Sequence, residues 1–202
     1  PPLGTPTQAI AVLREAGIWE ATPLAVRSHL ETARGPSALP LAHNVLVGSN
    51  SQSVAAMVAA QQGISPIPMP VEGDVSAAAR LICDHACPGI TVWGGETTVQ
   101  ISGTGKGGRN QELALRIACE ATRRGWDDFT CLAGGTDGRD GPVDAAGGLV
   151  DAGTLGRIAA AGGDIDALLA NNDSYAALGL AGDLLMTGAT GTNVADLGVL
   201  IR

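Results

Sequence analysis

The chain has 202 residues, 45% of them hydrophobic and 16% charged, which is a globular composition and not that of a disordered tail. Twenty acidic residues against 12 basic ones leave a net charge of −8, which excludes a nucleic-acid binder working through a basic face. No apolar run reaches the ~18 residues a membrane-spanning helix needs.

Residues 5–33 read as helices. Thr7 is placed to cap the first, with Ile10, Leu13 and Ile18 near helical spacing; a second follows Pro23 and puts Val26 and Leu30 on one face. Gly35 to Pro40 is a linker. This block holds no strand to complete a sheet. Residues 1–42 are therefore expected to be the tail and linker of a preceding domain, and residues 43–202 a second domain. The opening Pro1-Pro2, without Met, points to missing upstream sequence.

From residue 44 the pattern changes. Asn44 to Val47 reads as a short strand, followed by Gly48-Ser49-Asn50 and a helix over about 51–62. Ile64 to Met69 is a proline-interrupted strand suited to a sheet edge, and Asp74 caps a helix reaching about Ala86. Ile90 to Trp93 is a strand ending at Gly94-Gly95-Glu96, and Thr97 to Ser102 alternates like another. A glycine-rich loop then opens a helix over about 111–123. Phe129 to Ala133 is a buried strand; helices lie near 154–161 and 174–181, and Leu184 to Met186 and Val199 to Ile201 are the last strands. The alternation indicates an α/β fold, a layered, mostly parallel or mixed sheet flanked by helices. The four cysteines, Cys83, Cys87, Cys119 and Cys131, suit neither a disulfide framework nor a CxxC metal pair, and fit a reducing, cytoplasmic setting. Cys83 and Cys87 read as an i,i+4 pair at a helix end.

Most polar and glycine-rich clusters directly follow strands, the edge where open α/β sheets bind ligands. The richest runs Gly103-Thr104-Gly105-Lys106-Gly107-Gly108-Arg109-Asn110. Exposed backbone N–H groups and a helix N-terminus there suit a phosphate. Lys106, the only lysine, adds charge, and Arg109 can grip a carboxylate or phosphate through two hydrogen bonds. Gly103, Gly105 and Gly108 also satisfy GxGxxG, a weak dinucleotide signal; the loop is not a Walker A motif, because Lys106 precedes Gly. A second loop, residues 134–147, carries Asp137, Asp140 and Asp144 among glycines. Such carboxylates hold magnesium or accept a proton from a hydroxyl, although Asp140 suits plain turn chemistry. Glu96, and the hydroxyls and amide of Thr190, Thr192 and Asn193, are placed to meet a polar ligand. Asn172-Asp173-Ser174-Tyr175 looks like a helix cap.

In this order, GGETTVQISGTGKGGRNQELAL, AGGTDGRDGPVDAAGGLVD, NNDSY and GDLLMTGATGTNVADLGVLI resemble the glycerate 2-kinases whose C-terminal domain is called MOFRL. AIAVLREAGIWEATPLAVRSHLE and NVLVGSN are similar to the middle of the same enzymes, and Ala189 stands where that family commonly has Pro. The resemblance implies ATP-dependent, magnesium-assisted phosphorylation of D-glycerate at its 2-hydroxyl, in a cleft between this domain and a Rossmann-like N-terminal domain. It puts Arg109 at the cleft; the family's functional lysine belongs to the N-terminal domain, and Lys106 is not its counterpart. Arg109, with Lys106, is expected to anchor the glycerate carboxylate or the transferred phosphoryl group. Gly103, Gly105, Gly107 and Gly108 would cradle phosphate oxygens beside Asn110. Asp137, with Asp144, would place magnesium or polarise the hydroxyl. Relatives labelled hydroxypyruvate reductase make NAD(P)H-dependent reduction the alternative, and a folded fragment silent without its N-terminal domain is another. Glycerate, the missing domain and a second copy in a homodimer are the expected partners; nucleic acid and membrane are not.

Overall fold

The computed structural model describes residues 4–34 and 43–202; the expected Gly35–Pro40 linker lies outside them. The chain divides into two compact units, Pro1–Val45 and Leu46–Arg202.

The first unit carries α1 (Pro6–Glu15) and α2 (Leu24–Thr32). Thr5, not Thr7, caps α1: its hydroxyl accepts the Gln8 N–H at 3.2 Å while the Gln8 side chain accepts the Thr5 N–H at 2.8 Å. Proline at the next position has no N–H to satisfy, so the helix starts there and Thr7 falls inside the first turn. Trp19 is buried, with the Arg14 guanidinium 5.5 Å above its ring.

In the second unit α3 (Asn50–Ala60) starts at a Ser49 cap. Then come β1 (Ile64–Pro66), β2 (Val71–Asp74), α4 (Val75–His85), β3 (Ile90–Thr98) and α5 (Arg109–Arg123). The chain continues through β4 (Thr130–Gly135), β5 (Gly147–Asp151), α6 (Thr154–Ala160), α7 (Ile165–Ala170), α8 (Ser174–Ala181), β6 (Leu184–Leu185) and β7 (Asp196–Ile201). The strands form one sheet in the order β1-β3-β7-β4-β5-β6, with β2 also paired to β3. Only β1 and β2 run parallel to β3; every other pairing is antiparallel. Of the two forms expected from sequence, the sheet is therefore the mixed one. The C-terminal β7 returns to the middle, between β3 and β4, and antiparallel pairing there reverses the sense of the parallel half.

Several expectations change in detail. Residues 44–47 form no strand, and Val47 is 94% exposed. Gly94-Gly95 does not end a strand but lies inside β3, and residues 99–102 are not sheet. A Cβ on Gly94 would sit 2.1 Å from the Asn50 side chain, and one on Gly95 2.1 Å from the Val71 carbonyl oxygen. The bare backbone is what lets α3 and β2 close on β3. β2, β5 and α7 escape the sequence pattern, the first two because Gly73, Gly147 and Gly148 make them read as loop. α4 ends at His85, so Cys87 lies beyond it; Cys83 is buried, Cys87 exposed, and both are free.

The two faces differ. On one, Trp93, Cys131, Val150 and Leu200 pack with Ile82 of α4 and Leu113 and Ile117 of α5 into the main core. With few aromatics, that core is filled by aliphatic side chains, and Trp93 lies flat over its cross-strand partner Gly198. Gly94, the next residue of β3, faces the other way, and α3 packs there over β1, β3 and β7. No helix among the described residues is long and apolar enough to cross a membrane.

Candidate active site at the start of α5

The β3–α5 loop is tied down by a neighbour far away in sequence. Asn172 Oδ1 accepts the Ser102 and Gly103 N–H groups at 2.7 and 3.0 Å, and Asn171 Oδ1 accepts the Thr104 N–H at 3.0 Å. The Asn171 carbonyl takes the Gly105 N–H at 2.9 Å, and Asp173 Oδ1 the Lys106 N–H at 3.0 Å. Any Cβ on Gly103 or Gly105 would lie about 2.4–2.5 Å from Asn171, so glycine is what permits this contact. The NND segment thus reads as more than a helix cap: it consumes the N–H groups of Gly103, Gly105 and Lys106. A GxGxxG loop that offers those same groups to a dinucleotide pyrophosphate is not what these residues build. Among the described residues, the N–H groups of Gly107 and Gly108 donate to no protein group.

The first turn of α5 is capped from outside. Gly108 has no side chain to do it. Buried Asp140 instead accepts the Asn110 and Gln111 N–H groups at 3.1 and 2.8 Å and both their side-chain amides at 3.3 and 3.0 Å. Burial pushes its carboxyl up from the ordinary value while these four donors pull it down. Asn110 is 1% exposed and committed to Asp140, so it braces the helix start rather than facing a ligand.

Arg109, the first residue of α5, is gripped by β7. Its Nε and Nη2 donate to the two Asp196 oxygens at 2.6 and 3.0 Å, and its Nη1 lies 3.1 Å from Glu96 Oε1. These hydrogen bonds hold the guanidinium above its usual pKa. Asp196 is itself fixed: Asn50 Nδ2 donates to the Val194 and Asp196 carbonyls, each at 2.8 Å, and Ala195 between them sits at φ 64°. The Thr136 N–H and hydroxyl donate to the Ala195 carbonyl at 3.0 and 2.7 Å. Asn50, Thr136 and Asp196 lie within the quoted motifs, but nothing in the sequence singles them out there; only their convergence on Arg109 does.

Arg109, Gly105, Gly107, Gly108, Asp137, Asp140 and Thr97 share the wall of one cavity of about 680 Å³. The Thr97 hydroxyl oxygen is buried without a partner. Glu96 lines a second, more apolar cavity of about 740 Å³ with Asn50, Pro66 and Met69. The Arg109–Glu96 pair therefore stands between the two. Asp137 Oδ1 accepts the Arg139 N–H at 3.0 Å and Oδ2 the Asn193 amide at 3.2 Å. The Thr190 hydroxyl donates to the Thr136 and Thr192 carbonyls, so Thr190, Thr192 and Asn193 brace the Asp137 turn and lie outside that wall. Lys106 is exposed, and among the described residues its side chain makes no ion pair; Asp144 accepts the Tyr175 hydroxyl at 2.8 Å and is likewise outside the wall. Among the described residues no three His, Cys, Asp or Glu side chains gather as a metal cage.

Residues 89–196, more than half of the chain and including Glu96, Arg109, Asp137, Asp140 and Asp196, match the MOFRL family. The chain belongs to that family. This MOFRL chain is 38% identical to a glycerate 2-kinase of Pyrococcus horikoshii over 94% of its own length and 48% of the relative's. It is 52% identical to a D-glycerate 2-kinase of Thermotoga maritima over 54% of its length and 26% of the relative's. Against human glycerate kinase the identity is 51%, over 53% of this chain and 21% of that one. A crystal structure of Thermotoga maritima glycerate kinase superposes with a TM-score of 0.80 at 35% identity, covering 100% of this chain and 51% of that one. The chain thus spans about half the length of the first of the curated relatives it matches.

Proposed function

We propose that this chain carries one wall of the active site of a kinase that phosphorylates D-glycerate at its 2-hydroxyl with ATP. The observation that carries the reading is the start of α5, where the Arg109 guanidinium and the undonated N–H groups of Gly107 and Gly108 line one cavity. Fixed donors of that kind stabilise charge on a carboxylate and on a phosphoryl group in transit, which is nearly all that phosphoryl transfer asks of a protein. The names of the relatives supply the substrate: they are glycerate kinases. Arg109 anchors the glycerate carboxylate or the phosphoryl group, and the Gly107–Gly108 backbone takes phosphate oxygens. The expected cradle thereby narrows to these two glycines, and Lys106 acts at most through its long-range charge.

Magnesium fits this site in the way it usually binds nucleotides, through one or two carboxylates plus phosphate oxygens. Asp137, half-buried in the cavity wall, is the carboxylate to hold it; Asp144 would join only with substrate bound. When bound, the ion neutralises phosphate charge. Asp137 is equally placed to accept the proton of the 2-hydroxyl. The preceding domain expected from sequence, with residues 1–42 as its tail, supplies the opposite wall in this reading, consistent with relatives about twice as long. Four free cysteines fit a reducing cytoplasm.

The test is a coupled assay of ADP release from the full-length protein with D-glycerate, ATP and magnesium, beside the present chain. Glycerate-dependent release by the full-length protein supports the reading, with the present chain inactive alone. Absence of release, with NADH consumed on hydroxypyruvate, replaces it with the reductase.

A further inference from the structure

The two carboxylates on Arg109 are not equivalent. Asp196 is 8% exposed, takes two aligned hydrogen bonds from Nε and Nη2, and belongs to a strand paired on both sides. Its carbonyl is held by Asn50. Glu96 is 61% exposed, meets Nη1 at 3.1 Å, and makes no aligned hydrogen bond to it. Its cross-strand neighbour in the β2–β3 register is Glu72, another acid, which offers no cation to hold Glu96 elsewhere. A partly buried pair with two aligned hydrogen bonds is costlier to separate than an exposed ion pair, which contributes about 0–1 kcal/mol.

We infer that Arg109 works between a fixed and an exchangeable carboxylate. Asp196 is a positioning residue that sets the plane of the guanidinium, and Glu96 occupies its Nη1 edge until the carboxylate of D-glycerate replaces it. This rests on the reading that Arg109 receives glycerate. The exchange keeps the guanidinium neutralised and in place before substrate arrives, so no large reorganisation is needed on binding. It also places an acidic residue, Glu96, as a competitor that tunes substrate affinity downward rather than as a contact to substrate.

The measurement is calorimetric titration of D-glycerate into the full-length protein and its Glu96→Gln, Asp196→Asn and Arg109→Ala variants, with the KM for D-glycerate measured alongside. Glu96→Gln should bind D-glycerate about threefold more tightly, the size of one exposed ion pair, with KM falling in step. Asp196→Asn should weaken binding at least about tenfold, because the fork loses its orienting charge. Unchanged or weaker binding in Glu96→Gln, with Arg109→Ala impaired, overturns the exchange. Wild-type binding in Asp196→Asn overturns the positioning role. Wild-type binding in Arg109→Ala instead removes the glycerate reading beneath both.

Discussion

Asp140 shows how much one buried side chain can organise. A glycine at the N-cap of α5 leaves the helix start without a local acceptor, and a carboxylate from the β4–β5 loop supplies one across 30 residues of sequence. Removing its carboxylate leaves the Asn110 and Gln111 N–H groups and the Asn110 amide buried without that acceptor, while the Gln111 amide keeps the Asp140 carbonyl. Asp140→Ala should therefore cost about 3 kcal/mol in denaturant unfolding, combining a lost cap with unsatisfied buried groups. A loss within error of zero would mean that water takes over the role. Asp137 lies in the same loop but faces the cavity, and its backbone-directed oxygen survives in Asn. Asp137→Asn should raise the magnesium concentration giving half-maximal activity at least several-fold, with little change in melting temperature. An unchanged magnesium titration would remove it as the metal's anchor. Asp137 was legible in sequence as a carboxylate directly after a buried strand. Asp140, three residues on, looked like turn chemistry because its partners are on another element.

At the scale of an element, α5 joins the site to the core. Its first turn holds Arg109, its middle fills the sheet face with Leu113 and Ile117, and its last turns carry a charge network. Glu120 accepts from Arg123 at 2.6 and 2.9 Å and from Arg124 at 2.7 Å, and Arg124 also reaches Asp84 of α4 at 2.6 Å. The Arg123 and Arg124 hydrogen bonds hold the Glu120 carboxyl at about 2, below the usual 4.5. A carboxylate whose pKa is depressed by folding stabilises the fold above its unfolded value and loses that contribution as the pH falls through the folded one. The window thus runs from about 4.5 down to about 2. Glu120→Gln should be less stable than the parent near neutral pH and lose less on acidification through that window. Thermal melts across the range check this; parallel curves would dismiss the network as a surface ornament. The position of α5 was readable from its apolar spacing and from the glycine loop before it. Arg124, just past its end, gave no hint in sequence that it binds a second helix.

For the whole molecule, the sheet is covered unevenly. α4, α5 and α8 seal one face, while α3 packs over β1, β3 and β7 on the other. Beyond α3 the β4–β5 side keeps an apolar stripe, Leu132 and Leu149 paired across strands, with Leu149 44% and Ile201 48% exposed. An apolar sheet face of this kind favours association. The isolated chain should run above its 20.2 kDa monomer mass in light scattering at high concentration. Leu149→Arg should return it to monomer; a parent that is monomeric at every concentration would show that the stripe is inert.

The sequence by itself determined the class of fold, the order of most helices and strands, and the loops worth inspecting. Those are local properties: apolar period, caps such as Asp74, and glycine-rich punctuation are all written within a few residues. It also carried the family resemblance through its four separated motifs. Only the tertiary structure decided the sheet's sense, because whether β7 enters the middle or an edge depends on which edges remain open after the other strands pair. It alone showed that Asn171 to Asp173 occupy half of the glycine loop, and that Asp196 and Glu96 both pair with Arg109. The contacts of Asn171 to Asp173 and of Asp196 join residues 67 to 87 positions apart, and hydrogen-bond complementarity at that range leaves no period in the chain to read.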